Sequence, residues 1–304
     1  MQKISNLLNV LSVHIMWLTI AKMQKISKSE NLLIQSYNPG LSEGFALAHF
    51  MHKTLFSVSC VGRSCVTFVG GDSARAFLFA VSNDIVRLAI CPVRPFASEE
   101  KTYTVSPGGR PENVEGIMRG QWNDLFLEGG GAEARLLALD LEESVVFETK
   151  NVRVKVSLRG LFCSWYQRLQ DDSWVLISSD RATRHVEIDR GRCIRYYQAL
   201  LDENERFFGL GETSGERLNK AGRRIRLKNS DALGYCAASS HPLYKNIPFF
   251  ILSNNQSSSG CFFDTMSDST FDFGLERSNY HGRYRYVETD DEWIDMYMIA
   301  GDFV

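Results

Sequence analysis

The chain has 304 residues and a formal net charge of −2, with 44% hydrophobic and 23% charged residues. That composition supports a sizeable core and excludes a collagen-like, low-complexity or wholly disordered chain. Lys and Arg number 34 against 36 Asp and Glu, so no cationic excess is at hand to neutralise phosphates, and a nucleic-acid partner is not expected.

Residues 7–21, LLNVLSVHIMWLTIA, are mostly apolar, but they are fewer than the roughly 20 needed to span a bilayer. Only Lys3 precedes the run, and no A-x-A-like cleavage site follows, so neither a membrane segment nor a signal peptide is expected. The pentapeptide MQKIS occurs at residues 1–5 and again at 23–27, which makes Met23 a second candidate start. Residues 1–47 therefore read as a loose or helical tail.

From residue 50 onward the recurring signal is the strand. VTFVG (66–70), RAFLFAVS (75–82) and DIVRLAIC (84–91) are apolar or alternating runs bounded by Gly, Asp, Asn and Pro, as strands between turns are. Gly108–Gly131 contains PGGRPE and EGGG and reads as a loop. SVVFET (144–149) and VRVKVSL (152–158) are separated by Lys150 and Asn151. In the second, Val152, Val154, Val156 and Leu158 face one way and Arg153, Lys155 and Ser157 the other, the period of a half-buried strand. FCSWYQRL (162–169) and WVLISS (174–179) follow across the turn QDDS. IPFFILS (247–253) and GCFFDT (260–265) read as a hairpin around NNQSSS. YRYVET, DDEW and IDMYMIAG (284–301) read as a further strand pair. Aromatic and β-branched enrichment points the same way. Many short strands with no βαβ alternation predict an all-β, antiparallel β-sandwich over 48–299.

The cysteines are Cys60, Cys65, Cys91, Cys163, Cys193, Cys236 and Cys261. They are odd in number and dispersed, without a CxxC pair or zinc-finger spacing. Free thiols, no metal site, no cofactor and a reducing, cytoplasmic compartment are the expectation.

Chemistry concentrates in 207–264. GLGE (209–212) sets two glycines around one Leu, where the backbone turns tightly or is closely approached. Lys220–Gly222 is another turn. Arg224, Arg226 and Lys228 then alternate with Ile225 and Leu227, giving a strand with one basic and one apolar face. It ends in Asn229, Ser230 and Asp231, short polar residues that favour turns and leave side chains free to accept hydrogen bonds. A carboxylate, an amide and two nearby tyrosines, Tyr235 and Tyr244, are the parts a sugar site uses. A plain polar turn contains the same parts.

The order of these pieces is more specific than any one of them. FFGLGE, then GRRIRLKNSDALGY, then PLYKNIPF, then FFD is similar to the N-terminal domain of glycoside hydrolase family 31 enzymes, which include α-glucosidases and α-xylosidases. The likeness extends to NDIVRLAICP (83–92), LRGLFCSW (158–165) and YHGRYRY (280–286), and so covers roughly residues 55–300. The resemblance implies a galactose-mutarotase-like supersandwich followed by a (β/α)8 barrel. On that reading residues 300–304 begin a linker to the missing catalytic barrel, which is the docking partner.

Family 31 enzymes retain configuration with a carboxylate nucleophile and a carboxylic acid, both in the barrel. The nucleophile's W-x-D-M-N-E motif does not occur here. The resemblance therefore implies a non-catalytic domain, inactive alone, that belongs to an α-glucosidase-type glycosidase and meets an α-glucoside or oligosaccharide only with the barrel present. It assigns substrate contact to Asp231, with Asn229 and Tyr235 as support. His241 stands where the family often has Asp before P-L-Y-K. Tyr244 and Lys245 read as loop and interface packing, and Glu212 as bracing its own turn. The alternatives are a stand-alone sugar-binding module or a mutarotase-type aldose epimerase. The epimerase would need an acid–base pair from His185, His241 or His281 with Glu212. Asp264 and Asp268 lack the pattern of a calcium loop.

Overall fold

A computed structural model describes residues 49–301, except 63, 72–73, 97–99, 106–115, 121–131, 133, 141–143 and 190–192. The chain divides into two units, Met1–Leu47 and Ala48–Val304. The first, with the apolar run 7–21 and the MQKIS repeat, lies outside the described residues, as does most of the Gly108–Gly131 stretch.

In chain order the strands are β1 (His49–Phe50), β2 (Phe56–Val61), β3 (Cys65–Gly70), β4 (Arg75–Ala80), β5 (Ile85–Cys91), β6 (Lys101–Thr102) and β7 (Ile117–Met118). Then come β8 (Arg135–Asp140), β9 (Ser144–Glu148), β10 (Val152–Ser157), β11 (Cys163–Arg168), β12 (Trp174–Ser179), β13 (Val186–Asp189) and β14 (Cys193–Ala199). The last seven are β15 (Arg206–Gly211), β16 (Arg224–Leu227), β17 (Asn246–Ser253), β18 (Ser258–Phe263), β19 (Ser269–Asp272), β20 (Tyr284–Thr289) and β21 (Ile294–Ala300). Helix among the described residues amounts to one 3-10 turn, Met51–Lys53.

Eight strands form one sheet in the order β15-β17-β18-β21-β5-β4-β3-β2. A six-stranded sheet, β1-β13-β14-β20-β19-β16, and a five-stranded sheet, β12-β11-β10-β9-β8, meet at a bridge between Asp180 and Gln198. One continuous core joins all three: Leu78, Leu88 and Met296 from the first, Ile194 and Phe271 from the second, Val154 and Trp165 from the third. The antiparallel sandwich predicted from patterning is what the chain forms. In β10 the alternation is literal, with Val152, Val154 and Val156 buried, each contributing about 1.5–3 kcal/mol.

The last predicted pair is corrected. β20 lies between β14 and β19 of the six-stranded sheet, while β21 lies between β18 and β5 of the eight-stranded sheet. Asp290–Trp293 thus carries the chain from one sheet to another. Both strands are buried on both faces, and each finds partners on both edges that a local hairpin would not supply. Gly108–Gly131, predicted as a loop, contributes the short strand β7, paired with β6.

The eight-stranded sheet also carries a buried charge network on the face opposite the main core. Arg87 of β5 makes a bidentate pair with Asp295 of β21, at 2.7 and 2.8 Å. Arg119 bridges Asp295 at 2.6 Å and Asp264 at 3.0 Å. Phe96, Trp293 and Tyr297 lie against the two guanidinium groups. Ile117 packs with Phe79, Phe262 and Tyr297 on the same side.

Candidate functional site

β15 and β17 approach so closely that only glycine fits between them. Gly209, Leu210 and Gly211 all have positive φ, at 127°, 68° and 73°, and form a bulge against β17. A Cβ on Gly211 would lie 2.1 Å from the Lys245 carbonyl oxygen. The expected close approach at GLGE is present, inside a strand.

That contact sets one foot of the segment 228–245. The Glu212 N–H donates to the Lys245 carbonyl at 2.8 Å, and its carboxylate pairs with Lys245 Nζ at 3.1 Å. Glu212, read as bracing its own turn, braces the neighbouring segment instead. At the other foot, Asn246 Nδ2 donates to the Lys228 carbonyl at 2.9 Å.

β16 leads into the loop along the edge of its sheet. Its apolar face, Ile225 and Leu227, is buried, and its basic face is exposed. Arg224 pairs with Asp272 and Glu276. Arg226 and Lys228 both pair with Asp268. Asp264 is committed to Arg119 and Thr104. Among the described residues no group of three or more His, Cys, Asp or Glu is placed to hold a metal ion.

Within the loop, Asp231 is exposed and its Oδ1 accepts from Tyr244 Oη at 2.9 Å. This bond is the main cause that raises the Tyr244 phenol above its usual range. Tyr235 stands edge-on to Tyr244, with ring centroids 6.3 Å apart. Asn229 is exposed two residues before Asp231. The fold thus brings Asp231, Tyr244 and Tyr235 together. Tyr244, read as packing, also orients the carboxylate, which no sequence signal for packing reveals. Leu233, Tyr235 and Tyr244 are 88%, 55% and 51% exposed, an apolar surface beside the carboxylate.

The histidines go elsewhere. His185 is fully buried between the rings of Phe162 and Tyr196. His281 Nδ1 shares a hydrogen bond with Thr183. His241 Nε2 shares one with Ser214 at 2.7 Å and lies 3.3 Å from Arg223. Burial, then the positive charges of Arg223 and Lys220, hold its imidazole below the usual range. Glu212 pairs with Lys245 instead, so no histidine–glutamate pair of the epimerase kind is assembled from these candidates.

One more resemblance is resolved by burial. Trp293–Met296 reads W-I-D-M, the first four letters of the barrel nucleophile motif. Its Asp295 is buried in β21 between Arg87 and Arg119. It is a structural counter-ion.

The comparisons with known proteins agree with this architecture. The model of the glycosyl hydrolase 31 N-terminal galactose mutarotase-like domain matches residues 76–272. Alpha-glucosidase 2 of Bacillus thermoamyloliquefaciens is 32% identical over 218 residues, which is 72% of this chain and 23% of that enzyme. A Flavobacterium johnsoniae family 31 dextranase superposes with a TM-score of 0.62 at 23% identity, over 83% of this chain and 27% of its own. The α-1,4-glucan lyase of Gracilariopsis lemaneiformis gives 0.63 at 16% identity, over 83% of this chain and 28% of its own. This chain spans about a quarter of the length of those relatives. By its matched segment and its sandwich, it belongs to the glycosyl hydrolase 31 N-terminal, galactose mutarotase-like domain family.

Proposed function

We propose that the chain is the non-catalytic sandwich of an α-glucosidase-type hydrolase, supporting a catalytic barrel and presenting Asp231 to the substrate. The observation that carries this reading is the braced, exposed carboxylate. Tyr244 occupies one oxygen of Asp231 and leaves the other to accept from a sugar hydroxyl. The exposed Leu233, Tyr235 and Tyr244 around it form the apolar surface on which the barrel docks. The α-glucoside substrate class rests on the relative from Bacillus thermoamyloliquefaciens, and a cytoplasmic setting on the dispersed free thiols.

A charge-assisted hydrogen bond is worth about 1.5–3 kcal/mol, or about one to two decades in affinity. With the barrel joined to this sandwich, Asp231→Ala lowers kcat/KM by about that factor and leaves the melting temperature in place. Unchanged kinetics remove Asp231 from the site. A large loss of stability makes it a structural turn residue instead.

A further inference from the structure

Lys220, Arg223 and His241 meet without an acid among them. Lys220 and Arg223 belong to one turn before β16, in which the Arg223 N–H donates to the Lys220 carbonyl at 3.0 Å. The Arg223 guanidinium lies over Gly215, whose φ is 106° and where a Cβ would come 2.9 Å from Nη2. Nη2 donates to the Ser214 carbonyl at 2.6 Å and lies 3.3 Å from His241 Nε2, and Nη1 reaches the Arg217 carbonyl at 3.5 Å. Backbone oxygens thus fix the guanidinium, and among the described residues nothing accepts from its Nε.

Lys220 is the unusual member. It is only 5% exposed, yet among the described residues its ammonium has no ion pair and no hydrogen bond. Nζ is not sealed off and keeps contact with solvent. Burial, then the charge of Arg223, hold this ammonium below its usual range, and no carboxylate offsets them. The same holds at His241, where Arg223 and Lys220 act and no carboxylate does. The acids nearby are directed elsewhere. Glu212 pairs with Lys245, and Glu216 is exposed. Asp202, Glu203, Glu205 and Glu276 line the adjoining cavity with Ala221 and Gly222. Asp202 accepts from Asn204, and the other three pair with Arg283, Arg285 and Arg224.

A nearly buried ammonium beside a fixed guanidinium favours a counter-charge that carries its own acceptors. Two formal positive charges select a dianion, since chloride or a single carboxylate leaves one of them uncompensated and a neutral ligand leaves both. A tetrahedral oxyanion has acceptors for the ammonium and for Arg223 Nε together, and protonation of His241 adds a third positive charge. We propose that Lys220 and Arg223, with His241 at the edge, bind a phosphate-class oxyanion, either free phosphate or the phosphoryl group of a sugar phosphate. The site rests neither on Asp231 nor on a catalytic barrel.

The test titrates inorganic phosphate, glucose 6-phosphate and glucose into the full chain, with ionic strength held constant by chloride. The readouts are the ring resonances of 13C-labelled histidine and the thermal midpoint. The His241 resonance, identified by its loss in His241→Asn, is expected to move saturably with either phosphate in the millimolar range. Its titration midpoint rises, because a bound anion favours the imidazolium, and the thermal midpoint rises with it. Equal affinity for the two phosphates assigns free phosphate, and tighter binding of glucose 6-phosphate assigns the phosphoryl group. Lys220→Met keeps a buried stem without the charge and weakens binding about tenfold or more. His241→Asp sets a carboxylate beside Arg223, raises the thermal midpoint in chloride and abolishes the further rise in phosphate. If Lys220→Met fails to fold, His241→Asp decides alone. A response to phosphate no larger than that to chloride or glucose, or phosphate binding unchanged in these variants, overturns the proposal.

Discussion

Asp180 shows how far a single residue's chemistry depends on its surroundings. Its carboxylate lies in the core, where Oδ2 accepts the Cys163 N–H at 2.8 Å and Oδ1 meets Tyr196 Oη. Desolvation pushes its pKa up to about 7, against the lowering effect of those hydrogen bonds and of Arg285. The unfolded chain therefore releases this proton first as pH rises. Asp180's contribution to stability is complete below about pH 4 and is lost progressively up to about pH 7, at about 1.4 kcal/mol per unit of separation. Asp180→Asn keeps an acceptor for the Cys163 N–H and sets an amide N–H against Tyr196 Oη, which then accepts instead of donating. It is expected to gain stability over the parent at pH 8 relative to pH 5, measured by denaturant unfolding at both pH values. Equal differences at the two pH values contradict the assignment. Gly211 is the opposite case, legible in GLGE because glycine pairs mark close approach. Gly211→Ala sets a Cβ against the Lys245 carbonyl at positive φ and is expected to cost about 1–3 kcal/mol, read from the denaturation midpoint.

At the scale of the element, two kinds of charge pairing separate cleanly. On β16 and just past its end, the pairs of Arg226 and Lys228 with Asp268 are partly exposed. Asp268→Asn is expected to change stability by less than about 1 kcal/mol. On β21, Asp295 is shared by Arg87 and Arg119 with no access to water. Asp295→Ala leaves two buried cations short of a counter-charge and is expected to cost about 3–5 kcal/mol. Thermal unfolding of the two variants side by side checks the contrast, and similar losses in both contradict it. The alternating pattern of β16 announced a basic face in the sequence, whereas the network around Asp295 was hidden. Its members are separated in sequence by as much as 208 residues, and each alone looks like an ordinary residue of a strand or strand end. The same distance effect explains β20 and β21. Adjacent strands separated by a short polar run read as a pair, and only the offer of partners on both edges sends them to different sheets.

At the scale of the whole molecule, the chain spans about a quarter of the length of its relatives. Glycoside hydrolysis of the family's kind needs two carboxyl groups flanking one bond. The Asp231 loop offers one carboxylate, and the W-I-D-M segment offers Asp295 only as a buried counter-ion. The purified chain is therefore expected to show no turnover of an aryl α-glucoside. Activity that co-purifies with the chain through successive columns contradicts this. The sequence by itself determined the all-β sandwich, through the period-two burial of runs such as β10, and the family, through the order of FFGLGE, GRRIRLKNSDALGY and PLYKNIPF. These are local signals: a strand's period and a glycine's freedom are written in neighbouring residues. Only the tertiary structure decided that Tyr244 holds Asp231, that the histidines stand apart from Glu212, and that Glu205 lines a cavity. Those facts depend on contacts between distant segments and on loss of water, neither of which has a spacing in the chain.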